Sequence, residues 1–205
     1  MKPFFIFTLL LFSLRSAAQT EQKAEETGIK SKPAFSINTK IVSFGIGFPN
    51  LYRMNYDEPS GFTHLKTSGF GPLYAKFEVG AFDHVGLVVS FGYSTFHYSY
   101  YGYSPQVVHY DDVNTLSLGF SGNYHFTKWI KNPKLDLYAG AGVAVDYQKY
   151  VYGNIPPFKE PERKAHIYPV VRAGARYYLD RSFGVFAEGG YDGLSLAQLG
   201  FSVRF

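Results

Sequence analysis

The chain has 205 residues, contains no cysteine and carries a formal net charge of +4, two units of which come from Lys2 and Arg15. Disulfides, zinc–thiolate sites and cysteine nucleophiles are therefore excluded, and so small a charge excess does not favour a nucleic-acid partner. The 18 Tyr, 20 Phe and 21 Gly stand beside only 2 Met, a composition typical of an all-β chain.

Residues 1–18 have the pattern of a secretory signal peptide. Lys2 precedes an apolar run from Phe4 to Leu14, and the small residues Ser16, Ala17 and Ala18 follow. A positive start, an apolar run of roughly 7–15 residues and a small-residue exit define such a signal. The run is too short for a transmembrane helix, which needs about 20 apolar residues. We therefore expect cleavage after Ala18 and export of the remaining chain.

Residues 19–38 are polar and patternless, which predicts a disordered periplasmic lead-in. From residue 39 to residue 205, apolar residues alternate with small or polar ones, and this period of two predicts strands. We predict eight strands, at Ile41–Phe48, Leu73–Val79, Val85–Tyr93, Leu116–Phe126, Leu135–Tyr147, Val171–Leu179, Val185–Tyr191 and Leu199–Phe205.

The two faces of these predicted strands differ in size as well as in polarity. In the third strand, for example, Leu87 and Phe91 alternate with Gly86 and Ser90. A face of Gly, Ser and isolated charges fits the inside of a narrow barrel whose bulky apolar face meets lipid. The pattern favours an all-β fold, an eight-stranded antiparallel up-and-down transmembrane β-barrel. The alternative is a soluble lipid-binding barrel, which would have the large apolar face inside.

Long and short connections alternate between the predicted strands. Outer-membrane barrels place long loops outside the cell and short turns in the periplasm, so the alternation favours the same fold. An extra hairpin within the first long connection would give ten strands, and this alternative stays open. The long connections are Pro49–Gly71, Ser99–Val113 and Gln148–Lys164, and the short ones are Ala81–His84, Thr127–Lys134 and Asp180–Ser182.

The segment LAQLGFSVRF at residues 196–205 alternates and ends in an aromatic residue. It resembles the C-terminal strand of outer-membrane β-barrels, which the barrel-assembly machinery recognises. More broadly, residues 39–205 resemble the small OmpA/OmpX-like barrel domains of Bacteroidetes-type bacteria, on segments such as GPLYAKFEVG and GLVVSFGYS. The resemblance implies a place in the outer membrane, with membrane lipid and the assembly machinery as partners. The residues that match the C-terminal signature are Leu199, Phe201, Val203 and Phe205.

A few charges fall on the predicted inward face. Since side chains fill the interior of an eight-stranded barrel, these charges must pair. We expect Glu78 and Glu188 to lie between Arg172 and Arg176, in a network that stabilises the barrel; an ion path through a narrow pore is the second hypothesis. The predicted network consists of Lys76, Glu78, Asp136, Arg172, Arg176, Glu188 and Arg204.

Sites for chemistry are sparse. No pair of histidines has the spacing of a metal motif, and no nucleotide signature is present, so we expect no metal, no cofactor and no enzyme. The least favoured hypothesis is a lipid A-modifying enzyme that uses His97 with Ser94 or Ser99 at the barrel rim.

The segment GYSTFHYSYYGYS is rich in tyrosine. We interpret Tyr93, Phe96 and Tyr98 as part of the aromatic belt at the outer interface. Tyr100, Tyr101 and Tyr103 are placed in an extracellular loop as candidates for binding an unknown ligand. The function that the sequence favours is a structural anchor or surface-interaction protein.

Overall fold

The computed structural model describes residues 33–54, 63–101, 108–130, 132–153 and 161–205. Eight antiparallel strands form a closed barrel in which each strand pairs with its neighbours in sequence and the first pairs with the last. The predicted fold is confirmed, and the alternative of ten strands is wrong. The strands are β1 Lys40–Phe48, β2 Thr63–Phe82, β3 Val85–Tyr101, β4 Val108–His125, β5 Leu135–Gly153, β6 Glu162–Tyr178, β7 Phe183–Tyr191 and β8 Ala197–Arg204. A short helix α1, Leu51–Met54, follows β1, and a 3-10 turn, Phe126–Lys128, follows β4.

The barrel closes where the C-terminal strand meets the first strand. Val42 lies opposite Val203, and Phe44 lies opposite Phe201. The backbone N–H of Phe205 donates to the carbonyl oxygen of Lys40 at 2.9 Å, so hydrogen bonding continues to the last residue. Closure removes the open sheet edges that lipid could not satisfy.

Large apolar side chains cover the outside of the barrel. In β7 the exposed and buried residues alternate, with Phe183 and Val185 facing out and Phe186 facing in. So large an exposed apolar surface is unfavourable in water and is the lipid-facing band of a transmembrane barrel. The band includes Phe77, Leu87, Phe91, Leu118, Phe120, Val143, Val145, Val171, Leu199 and Phe201.

Small residues make room for the charged interior. A Cβ atom on Gly86 would lie 2.4 Å from Oε1 of Glu78, and one on Gly140 would lie 2.1 Å from Oδ1 of Asn123. Both glycines lie on the inner face beside a larger polar neighbour. The alternation of glycine with bulky apolar residues thus reflects a narrow interior that larger polar side chains fill.

Five strands are much longer than the sequence predicts, whereas the other three exceed their predicted ranges by only one or two residues. β2 to β6 have 20, 17, 18, 19 and 17 residues, whereas β1, β7 and β8 have 9, 9 and 8. The pairing of β1 with β2 stops at Leu73, and that of β6 with β7 stops at Val171. Beyond these residues, β2 to β6 continue as a five-stranded sheet that β1 and β7 no longer flank. We call this sheet the wall; it comprises residues 63–72, 94–101, 108–115, 148–153 and 162–170.

The wall corrects the predicted connections. Most of the residues predicted as the second long loop are strand: β3 runs to Tyr101 and β4 begins at Val108. The apolar-out pattern ends there because the outer face carries polar side chains such as His97 and Asp112, while the inner face carries aromatic ones such as Tyr98. We call the end of the barrel that bears the wall the loop end, and the end that bears the short turns the turn end.

The predicted lead-in is also shorter than expected. Ala34 and Phe35 are buried at the turn end, so the segment 33–38 belongs to the folded barrel and is not a disordered lead-in. The predicted signal peptide, residues 1–18, and residues 19–32 lie outside the described residues. Among the helices that the structure describes, none has the length and apolarity to cross a bilayer.

Candidate functional site

The interior near the turn end contains four charged side chains in direct contact. Arg176 donates from one nitrogen to Oε2 of Glu78 at 2.5 Å and from another to Oδ2 of Asp136 at 3.1 Å. His125 contacts the same two carboxylates, at 2.9 Å to Glu78 and 2.8 Å to Asp136. All four residues are at most 2% exposed. We call them the charge cluster.

The contacts of His125 indicate its protonation state. An ionised carboxylate only accepts a hydrogen bond, so with Glu78 and Asp136 ionised both ring nitrogens of His125 carry a hydrogen. His125 is therefore an imidazolium, and its charge and that of Arg176 balance Glu78 and Asp136. Charges taken out of water are tolerated only when they are paired and hydrogen-bonded in this way.

The segment 33–38 covers the charge cluster at the turn end. The ring of Phe35 stacks on the ring of His125, with a centroid distance of 3.4 Å and an interplanar angle of 4°. Arg204 holds the segment by donating to the carbonyl oxygen of Ala34 at 2.5 Å, and its guanidinium lies 3.9 Å from the ring centre of Tyr178. The N-terminal segment therefore excludes water from the cluster.

A second layer of polar contacts lies next to the charge cluster. Lys76 forms an ion pair with Glu188, and the hydroxyl of Tyr138 donates to Glu188 at 2.7 Å. Arg172 donates to Asn123 at 3.2 Å and also to Ser121. Glu78 therefore pairs with Arg176, whereas the ion-pair partner of Glu188 is Lys76, whose side chain also faces the interior.

The described interior contains no water-filled path. Charged groups that line an aqueous channel are exposed to it, yet Lys76, Arg172 and Glu188 are all less than a tenth exposed. A pocket beside Arg172 and Glu188 has a volume of about 10 Å³, which is roughly the space of one water molecule. Within the described residues, the charges are thus arranged as packing and not as a pore lining.

The loop end of the barrel is covered by the connection between β7 and β8. Leu194 is fully buried, and the hydroxyls of Ser195 and Tyr74 lie 2.9 Å apart. Helix α1 adds to this cover, since the backbone N–H of Leu51 donates to the carbonyl oxygen of Leu194 at 2.9 Å. Tyr52 of the helix donates to the buried carboxylate of Asp146.

The inner side of the wall is aromatic. Phe96, Tyr98 and Val113 form a buried cluster, against which Tyr150 packs. Beyond this cluster, Tyr100 is buried and donates to Asp111 at 3.1 Å. Burial, and then the Asp111 carboxylate, raise the pKa of Tyr100 well above its usual value.

A matching contact lies on the same inner side of the wall, between β5 and β6. The hydroxyl of Tyr152 donates to Glu162 at 3.0 Å. Burial, followed by the Glu162 hydrogen bond, raises the pKa of Tyr152 to about 12. Both tyrosines therefore remain neutral hydrogen-bond donors throughout the physiological range.

The tyrosines proposed for ligand binding do not share one environment. Tyr100 faces the inner side of the wall in β3, and Tyr101 is the last residue of that strand, so neither lies in a loop. Tyr103 lies outside the described residues. Tyr93 is exposed on the outer face, whereas Phe96 and Tyr98 are buried on the inner face. Only Tyr93 of these three fits the predicted aromatic belt.

The residues proposed for lipid chemistry are divided between two faces. His97 faces outward, and its Nδ1 lies 2.7 Å from Oδ1 of Asp112 on the next strand. Ser94 is buried on the inner face, so it cannot reach His97. Ser99 shares the outward face with His97, through the alternation of the strand.

Sequence reasoning missed three residues of the interior: Phe35, His125 and Asp146. His125 and Asp146 stood on the predicted inward face, and their polarity was the signal that could have identified them. Phe35 gave no signal, because it precedes the first strand. In the described residues, no group of three or more His, Asp or Glu is arranged to hold a metal ion.

Comparisons with known proteins relate the chain to others through its fold. No protein-family model matches the chain, and no curated protein does. The outer membrane protein OprG from Pseudomonas aeruginosa is similar in structure, with a TM-score of 0.54 and 12% identity over 83% of this chain and 97% of that one. This likeness shows the fold of an outer-membrane barrel.

Two further solved structures are more distant in shape. The N-terminal β-barrel domain of OprF from Pseudomonas aeruginosa has a TM-score of 0.47 and 20% identity, over 83% of this chain and 99% of that chain. Ail, the attachment invasion locus protein of Yersinia pestis, has a TM-score of 0.47 and 16% identity, over 82% and 99%.

Proposed function

We propose that the chain is an outer-membrane anchor that presents the wall and its connections outside the cell as a surface-interaction protein. The observation that carries the proposal is the projection of five strands beyond the closed, lipid-facing part of the barrel. In this orientation the turn end lies in the periplasm and the loop end outside, following the rule for long and short connections.

The packed interior supports an anchor over a pore. A narrow pore or transport component needs water through the barrel, and the charge cluster and the pair of Lys76 with Glu188 occupy that space. The purified protein in a planar bilayer should therefore give no conductance above that of the bare bilayer. A steady single-channel conductance would favour the transport hypothesis instead.

The location is tested by comparing boiled and unboiled samples of the outer-membrane fraction on an SDS gel. A folded transmembrane barrel resists SDS until it is heated, so the band should shift between the two samples. A protein found in the soluble periplasmic extract, with no shift, would overturn the proposal.

The orientation is tested with single cysteines, since the chain contains none of its own. Met54→Cys lies in the exposed helix α1 at the loop end, and Lys128→Cys lies at the turn end. A membrane-impermeant maleimide should label Met54→Cys on intact cells and Lys128→Cys only after the outer membrane is permeabilised. The reverse result would place the wall in the periplasm and overturn the surface role.

The surface role itself is tested by exchanging the connections of the wall for short turns while the closed barrel is kept. Cells that carry the shortened barrel should lose adhesion to immobilised polysaccharide that cells with the full chain show. Equal adhesion by both would show that the connections of the wall have no part in surface interaction.

A further inference from the structure

Two cations lie directly opposite each other on the outer face of the wall. Lys149 of β5 and Arg163 of β6 are cross-strand partners, and both side chains are exposed. Side chains in such positions have Cβ atoms about 5 Å apart, and like charges there destabilise a sheet. An arrangement that costs stability in the isolated chain points to an anion that binds between the two.

No protein group supplies that anion in the described part of the chain. The neighbouring carboxylates are already in other contacts: Asp112 pairs with His97, and Glu162 pairs with Lys164 on the inner face. Neither Lys149 nor Arg163 makes an ion pair or a side-chain hydrogen bond within the described ranges.

The same cross-strand row supplies further hydrogen-bond donors. Thr95 pairs with Asn114, and Asn114 pairs with Lys149, so their side chains share the outer face with the two cations. The Asn114 carbonyl oxygen lies 3.4 Å from the Tyr93 hydroxyl, which leaves the amide nitrogen of Asn114 to donate. Cations and neutral donors in one row suit a phosphate group.

The surface below the two cations is apolar. Along β5, the next outward-facing residues towards the turn end are Tyr147, Val145 and Val143, and all are exposed. On β6, Ile167 is 81% exposed at the same level. Since a strand rises about 3.3 Å per residue, Lys149 lies about 7 Å along the strand from Tyr147, at the height where lipid headgroups meet the apolar band.

The geometry points to a binding site for a phosphorylated lipid of the outer leaflet, with its phosphate between Lys149 and Arg163 and its acyl chains along Tyr147, Val145 and Ile167. The inference rests on the proposed outer-membrane location and adds to it a lipid class and a place on the barrel. Because the surface directly below the cations is apolar, we assign the site to a lipid and not to a free phosphate ion.

The test uses the full chain inserted in phosphatidylcholine vesicles that contain lipid A with its phosphates. After gentle detergent extraction and capture of the protein, the retained lipid A is measured by mass spectrometry. Lys149→Gln with Arg163→Gln should reduce retention about tenfold, since two charge-assisted contacts are lost. The matched control, Lys128→Gln with Lys134→Gln, removes the same charge at the turn end and should retain lipid A like the wild type.

Two further samples separate lipid from phosphate. The wild type should retain little lipid A that lacks phosphates. The amount should equal the amount of phosphorylated lipid A that the double variant retains. Inorganic phosphate added during extraction should leave retention unchanged; displacement of the lipid by it would overturn the lipid assignment.

The outcomes also separate this inference from the proposed function. If the wild type fails to insert and shows no heat-shifted band, the membrane location is wrong. If wild type and double variant both insert and retain equal amounts of lipid A, the location stands and the site is wrong. Lys149→Arg, which keeps the charge, should retain lipid A, and its loss would also contradict the site.

Discussion

Buried carboxylates at the two ends of the molecule are compensated by different kinds of partner. At the turn end, where the barrel is closed, Glu78 and Asp136 are balanced by Arg176 and His125. At the loop end, the wall places single carboxylates against tyrosine hydroxyls, as in the contact of Tyr100 with Asp111.

The difference follows from access to water. In the closed barrel, lipid surrounds the strands and charges must be neutralised by protein groups. In the wall, Asp111 is buried and accepts a hydrogen bond from the neutral Tyr100 hydroxyl, whereas the ion pair of Glu162 with Lys164 is nearly half exposed. The loss of an ion pair should therefore cost much more at the turn end than in the wall.

The largest effect is expected for Glu78→Gln. The change leaves Arg176 and His125 with one carboxylate between them, and breaking a buried ion pair costs about 3–5 kcal/mol. The free energy of unfolding can be measured by urea titration in lipid vesicles, with the fluorescence of Trp129, the single tryptophan, as the signal.

The matched control for that change is Glu162→Gln in the wall. Glu162 pairs with Lys164, and both side chains are nearly half exposed, so the expected loss is at most about 1 kcal/mol. Equal losses for the two variants would contradict the comparison between the two ends.

The second effect is expected for Phe35→Ala. Removal of a buried ring that stacks on His125 exposes the charge cluster to water and should cost about 3 kcal/mol. Ile37→Ala in the same segment is the control, because Ile37 is half exposed and its loss should stay within about 0.5 kcal/mol. Similar values for both variants would show that the segment does not cover the cluster.

A smaller effect is expected for Tyr100→Phe. The ring stays and the hydrogen bond to the buried Asp111 carboxylate is lost, which costs about 2 kcal/mol. Tyr177→Phe serves as the control, since Tyr177 is exposed on the outer face and should show almost no change. A loss for Tyr100→Phe as large as that for Glu78→Gln would mean that a single neutral hydrogen bond in the wall matters as much as the paired charges of the closed barrel.

The smallest effect concerns Asp180 in the exposed turn between β6 and β7. The backbone N–H groups of Phe183 and Ser182 donate to its carboxylate and lower its pKa. A lowered folded pKa gives stability that is present above the unfolded value of about 4 and is lost as the pH falls through the folded value. The stability difference between wild type and Asp180→Ala should therefore narrow in acid, and a difference independent of pH would contradict this account.

Much of the closed barrel could be predicted from the sequence because its two faces meet different surroundings. Leu87 and Phe91 face lipid while Gly86 and Ser90 face the interior, and this contrast repeats along the strands. The wall could not be predicted in the same way. Its outer side carries Lys149 and Arg163 beyond the apolar band, so the apolar signal that marks a lipid-facing strand face is absent there.

The sequence by itself determined the number of strands, which residues of each strand face lipid or the interior, and the presence of charges inside. It could do so because alternation and residue size are local properties. The tertiary structure decided which charges meet. Lys76 contacts Glu188 and Arg176 contacts Glu78 because the stagger of the strands around the closed barrel brings distant residues to the same level. It also decided that Phe35, outside any strand, packs on His125, since only the closed barrel has an end that a ring can cover.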